Sequence, residues 1–188
     1  SIFNDEKVEF IIQLDTITPQ VWYPNKSYGN DSEKYPLNII FKNATIWTNE
    51  KEGVLNNTDV AIGGGRILAI GKNLEKNTVF PRKKETEIHI IDASNKHITC
   101  GIIDEHSHIA ISKGVNESSE AVTAEVSIGD VINANDHNIY RQLAGGVTAS
   151  QLLHGSANPI GGQSAIIKLR WGSSAEKMKI KDAPKFIK

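Results

Sequence analysis

Two histidines one residue apart, His106 and His108, close the run Gly101-Ile102-Ile103-Asp104-Glu105-His106-Ser107-His108. On a β-strand side chains alternate between faces, so Asp104, His106 and His108 are expected on one side. Two imidazoles at neighbouring positions on one face can share a metal ion, for which neutral histidine is a common ligand. Ile102 and Ile103 point to opposite faces, as expected of a strand buried on both sides in a parallel sheet. The same residues also suit a pair of hydrogen-bonded histidines in a buried strand, and His-x-His alone needs a confirming setting.

The elements around this run divide the chain. Residues 1–36 read as a short strand, Val8 to Leu14, and an irregular connector punctuated by Pro19, Pro24, Gly29 and Pro36, or else as the tail of a preceding domain. Residues 37–100 read as β throughout. One strand covers Asn38 to Trp47 with a break at Lys42-Asn43, and strands at Asp59 to Ile62 and Ile67 to Ile70 flank Gly63-Gly64-Gly65. Those glycines suit a hairpin turn, because glycine takes positive φ without steric cost. They do not suit a phosphate loop: no Gly-Lys-Ser/Thr comes after them, and the next segment is a strand and not a helix. Lys76 to Glu87, charged and carrying Pro81, reads as an exposed loop; Ile88 to Asp92 and His97 to Thr99 complete a small sheet.

From residue 101 to 188 the period changes. Asp136 to Ala144 is an expected amphipathic helix with Asp136 as N-cap and Gly145-Gly146 as its stop. Val147 to Leu153 is the next strand, and strand, helix, strand in this order is the βαβ pattern of a parallel sheet. Ser164 to Trp171 is a further strand. His89 and His97 read as ordinary surface residues, His137 as a residue at a helix start, and Cys100 as a small buried hydrophobe.

Taken in order, these segments resemble the opening of an amidohydrolase-superfamily enzyme. Asp59 to Lys72 resembles that family's early hairpin, and Ile88 to Ser94 the strand before its barrel. Gly101 to His108 resembles the first barrel strand, and Ala144-Gly145-Gly146-Val147-Thr148 the entry to the second. Gly155 to Gln163 resembles a loop of the imidazolonepropionase-like branch. The resemblance covers about residues 37 to 170; Cys100, where the family usually has proline, departs from it at a position that is not a ligand. It implies a mixed β and α/β fold: a small β-sandwich-like domain followed by the first βα units of an incomplete (β/α)8 barrel. A whole barrel needs about 250 residues, and about a third of that follows Gly101. The chain starts without methionine and ends without a terminating pattern, so both ends read as cuts.

The resemblance also implies the chemistry. His106 and His108 would be metal ligands at the C-terminal end of a barrel strand, where such sites lie. The cofactor would be a divalent metal, zinc foremost, polarising a carbonyl and lowering the pKa of bound water to about 7. His154, Asn158 and Gln163, at the end of the second strand, would contact substrate; a glycine-rich turn with local backbone bonds is the plainer reading. Asp104 would either orient the histidines or satisfy backbone at the strand end. The remaining ligands and the catalytic aspartate come from later strands. Two imidazoles fall short of the three protein ligands a catalytic zinc uses, so the resemblance implies no catalytic residue in this chain, which is expected to be inactive alone. The whole enzyme would hydrolyse a C–N bond in a small amide, cyclic amide or dipeptide. The competing reading is a non-catalytic β-rich interaction module.

Composition limits the partners. Of 188 residues, 21 are Lys or Arg and 22 Asp or Glu, a formal charge of −1 that gives no electrostatic reason to expect nucleic acid or an anionic membrane. No stretch approaches the ~18 apolar residues of a membrane span. A single cysteine excludes an internal disulfide and a cysteine-based zinc cluster. The compartment, cytoplasmic or periplasmic, stays open. Strands taken from an unfinished barrel would expose Ile102, Ile103, Val147, Leu152 and Leu153, so the chain is expected to self-associate.

Overall fold

In a computed structural model the described residues are 37–188, and the strand read at Val8 to Leu14 lies outside them. The fold is mixed β with a few short helices. Two sheets account for it, one on each side of Gly101.

The first sheet contains β1 (Asn38–Trp47), β2 (Val54–Gly63), β3 (Arg66–Gly71), β4 (Ile88–Asp92) and β5 (His97–Ile98). Its order is β3-β2-β1-β4, with β5 also pairing on β1. β1 runs antiparallel to β2 and parallel to β4 and β5. The hairpin between β2 and β3 turns at Gly64 and Gly65, both at positive φ (57° and 74°), as their sequence suggested. Thr58, Asp59, Val60 and Ala61 are consecutive and all buried, so the middle of β2 is covered on both faces. Ile40, Ala61, Phe80 and Ile88 form one apolar cluster; Ala44, Ile46, Val60 and Ala93 form a second. The charged stretch after β3 is more than an exposed loop. It carries the short helix α1 (Lys76–Val79) and then Phe80, which is only 5% exposed, because an aromatic ring there caps the first cluster.

The break read at Lys42-Asn43 is a register shift in β1, with Asn43 at φ 62°. The side chain that secures it is Asp59, 2% exposed, on the neighbouring strand. One carboxylate oxygen accepts from the Asn43 amide at 2.9 Å. The other accepts from the Leu74 amide at 2.9 Å and meets the Lys42 ammonium at 2.7 Å. Lys42 also donates to the Leu74 carbonyl. A carboxylate taken out of water is tolerable only when paired and hydrogen-bonded in this way.

The second sheet contains β6 (Ile102–Ser107), β7 (Val147–Leu152) and β8 (Ala165–Lys168), in that order. β6 and β7 are parallel and are joined through α2 (His137–Ala144), the βαβ unit expected from the sequence. Asp136 caps α2, accepting from the Asn138 amide and, with its other oxygen, from the Ala110 amide at 2.7 Å. Ile139 is fully buried in a cluster with Ala110, Ile128, Leu152, Ile167, Leu169 and Met178, the last on α3 (Ala175–Met178). β8 runs antiparallel to β7, so the alternation of parallel strand and helix stops after one unit.

Ile102 and Ile103, which suit a strand buried on both sides in a whole barrel and are expected to stand exposed in an unfinished one, are 57% and 69% exposed. The reason is position: β6 is an edge strand, and no other strand among the described residues pairs on its outer side. Leu152 and Leu153, by contrast, are covered by the chain itself. Cys100 is also exposed, contrary to its reading as a buried hydrophobe.

Asp59 makes this fold acid-sensitive. Burial raises its carboxyl pKa, but the Lys42 ammonium and the amides of Asn43 and Leu74 more than offset that, leaving it below the ordinary 3.8. A depressed carboxylate contributes stability that is present above its unfolded value and lost as pH falls through its folded value. Urea unfolding is therefore expected to show a loss of stability below about pH 4 that Asp59→Asn flattens. At neutral pH that substitution, which leaves Lys42 without its counter-charge, should cost about 2–3 kcal/mol.

Candidate metal centre

His106 and His108 stand at the end of β6, their ring centroids 5.3 Å apart and near perpendicular. His108 Nδ1 lies 2.9 Å from the Leu153 carbonyl, just past the end of β7. A carbonyl can only accept, so Nδ1 carries the proton and Nε2 presents a lone pair. A metal-ligating histidine is usually oriented through its second nitrogen in this manner. His106 Nε2 accepts from the Lys188 ammonium at 3.1 Å.

Asp104 does not join the pair. Between the bridges Asp104–Ser150 and Ser107–Leu152, β6 advances three residues while β7 advances two. That shift breaks the simple alternation on which a shared face depended. Asp104 instead accepts from the His106 amide at 3.2 Å, the backbone-satisfying alternative.

The three residues read as substrate contacts lie together on the loop after β7, where they bind the 115–127 segment. Nδ1 of His154, a residue 1% exposed, lies 2.7 Å from the Gly155 carbonyl. Its Nε2 accepts from the Glu117 amide at 2.7 Å. The Asn158 amide group donates to the Glu120 carbonyl and the Thr123 hydroxyl, while its Oδ1 is buried without a partner. Gln163 donates to the Ala124 carbonyl and accepts from Lys185. His154 could therefore meet a substrate only by releasing a backbone partner.

The chain's last residues close the arrangement. Ser164 donates its amide to the Phe186 carbonyl, and Gly161 donates to the Lys188 carbonyl at 2.6 Å. That strand-like contact delivers Lys188 to His106. Neither Lys188 nor Glu117 had a sequence signal, since each acts across a long separation in the chain.

The donor set fits a divalent metal in part. One lone pair is oriented and open, and a second is shared with a lysine. Among the described residues no group of three or more His, Cys, Asp or Glu gathers to complete a site. Calorimetric titration of zinc into the chain should thus show weak binding that His108→Ala removes. Lys188→Met should strengthen it about fivefold, since a like charge at such range costs ~1 kcal/mol in water. Tight one-to-one binding that survives both His106→Ala and His108→Ala would contradict this assignment.

No protein-family model matches the chain. It is 32% identical over 145 residues to the amidohydrolase tasK of Hapsidospora irregularis, covering 69% of this chain and 15% of that protein. It is 38% identical over 73 residues to a dihydroorotase of Halalkalibacterium halodurans, covering 39% of this chain and 14% of the enzyme. Among solved structures it is similar to an amidohydrolase from Thermotoga maritima MSB8, with 35% identity and a TM-score of 0.63 over 77% of this chain and 37% of that one. The chain thus spans well under half the length of these relatives. With the His-x-His strand end and the βαβ unit in place, the matched part of this chain is of the amidohydrolase superfamily.

Proposed function

We propose that this chain is the N-terminal portion of a metal-dependent amidohydrolase that hydrolyses a C–N bond in a small amide, cyclic amide or dipeptide. The observation that carries the reading is His108: its tautomer is set by the Leu153 carbonyl, and its Nε2 stands open beside His106 at the end of a parallel strand. The similarity to an amidohydrolase and a dihydroorotase supports the reaction class.

In this reading residues 37–100 are the small β-sandwich-like domain, and residues 101–188 begin the (β/α)8 barrel. β6 and β7 are its first two strands. β8 is an excursion on the 153–188 segment, because barrel strands are all parallel. His106 and His108 hold a divalent metal, zinc by preference, together with ligands from strands beyond this portion. When bound, the metal supplies Lewis acidity and an activated water. This chain's own part is to present the two imidazoles and to line one side of the site with the 154–163 loop. Asn158 and Gln163, whose amides are taken up by the 115–127 segment, would contact substrate by exchanging those partners, and His154 sets the loop they sit on.

The test is the whole enzyme encoded around this chain, assayed on amides, cyclic amides and dipeptides with metal content measured in parallel. The double substitution His106→Ala/His108→Ala should remove both bound metal and at least about a thousandfold of activity, on the scale of several kcal/mol supplied by a catalytic metal. Metal content and turnover unchanged by the double substitution would overturn the reading, and so would finding no hydrolase in the whole protein, as expected of a β-rich interaction module. The 188-residue chain alone should show no turnover.

The open edge gives a second expectation. Ile102 and Ile103 stand in water beside unpaired backbone of β6. Full burial of each is worth about 1.5–3 kcal/mol, so the isolated chain should sediment as a dimer or larger. Ile103→Lys on the edge should shift it toward monomer.

A further inference from the structure

The imidazole of His154 is the most enclosed titratable ring among the described residues, and both its nitrogens face backbone groups of fixed polarity. Nδ1 is 2.7 Å from the Gly155 carbonyl oxygen and Nε2 is 2.7 Å from the Glu117 amide nitrogen. Since a carbonyl only accepts and an amide only donates, the ring is neutral with its proton on Nδ1. Backbone walls lie close on the ring. A Cβ on Gly161 would lie 2.5 Å from Nδ1, and one on Gly162 would lie 3.2 Å from Cδ2. Glycine at both positions is therefore what lets the 161–162 backbone close on the ring. On the other side Gly155 donates its amide to the Val115 carbonyl, so the same residue ties the loops a second time.

We propose that His154 is an acid-released latch. As neutral imidazole it holds the 115–127 loop against the 154–163 loop through the Glu117 amide, and on taking a second proton it lets that amide go while Val115 stays tied to Gly155. Protonation would place an N–H on Nε2, facing the Glu117 N–H across 2.7 Å. Two donors cannot share that distance, so the bond is lost. The charged group beside the ring is Glu117, from the 115–127 loop; Lys188 packs its carbonyl on Gly161 and turns its ammonium to His106. Glu117 gives the cationic ring an alternative partner. Its carboxylate, turned to the Ser119 amide at 2.9 Å, belongs to the same residue whose amide is displaced. The exchange of amide for carboxylate thus needs only local movement of Glu117. Gly155 holds Val115, Thr123 holds the Glu117 carbonyl, and Asn158 and Gln163 hold the later part of the loop, all through neutral groups, so the release is confined to the Glu117 amide.

The latch needs no metal and no turnover, so its test is independent of the function proposed above. In the ¹⁵N-labelled chain, long-range proton–nitrogen spectra at about pH 7.5 should show His154 as the Nδ1–H tautomer. Hydrogen exchange corrected for intrinsic rates should show the Glu117 amide protected there. On acidification through the point where those spectra show a second proton on His154, that protection should fall about tenfold, the scale of one hydrogen bond lost, while amides of β1 and β2 keep theirs. In His154→Gln, whose amide group can serve both backbone partners without taking up a proton, protection of Glu117 should become independent of pH. Should that variant not fold, the spectra and exchange of the unsubstituted chain decide alone. An Nε2–H tautomer at neutral pH, Glu117 protection unchanged while His154 titrates, or a loss shared equally by β1 and β2 would each overturn the proposal.

Discussion

A carbonyl can only accept a hydrogen bond and an amide can only donate one, and this elementary constraint sets the chemistry at the end of the second sheet. The Leu153 carbonyl decides which nitrogen of His108 is free. The adjacent residue, His154, is fixed in the same tautomer by the Gly155 carbonyl and the Glu117 amide. Two consecutive residues past β7 therefore leave one nitrogen of His108 open and close both nitrogens of His154. Long irregular loops bring many backbone groups out of water, and each needs a partner. Here the side chains of His154, Asn158 and Gln163 supply several of them.

The first sheet solves a related problem with charge. Its register shift at Asn43 leaves an amide without a ladder partner, and the buried carboxylate of Asp59 takes it while also binding Leu74 and Lys42. One side chain thereby joins β1, β2 and the turn after β3. The two halves of the molecule consequently satisfy their irregular backbone differently: the first sheet uses a buried carboxylate, and the loops of the second use a buried imidazole.

The open side of β6 belongs to the same picture. A parallel pair such as β6 and β7 is ordinarily covered on both faces and continued at both edges. In the described residues it is continued only toward β8. Ile102 and Ile103 carry the apolar surface that a further parallel strand or a second copy would cover, and the relatives, much longer than this chain, have the length to supply such strands.

Local pattern alone determined a good deal. The hairpin at Gly64-Gly65, the capping of α2 by Asp136 and its stop at Gly145, the bulge near Asn43 and the parallel pairing of β6 with β7 all obey short-range rules of φ, capping and periodicity. The two histidines were legible for the same reason, since their spacing is local. What tertiary structure decided were matters of partnership across the chain. Whether Asp104 shares a face with His106 depended on a register shift that β7 imposes. Phe80, inside a charged stretch, was drawn into the core by β1 and β4. Asp59 became a structural hub only because Asn43, Lys42 and Leu74 converge on it. The antiparallel course of β8, the arrival of Lys188 at His106 and the closure of His154 by Glu117 join residues far apart in sequence. Side-chain type sets what a group can donate or accept; only the assembled fold sets which group it meets.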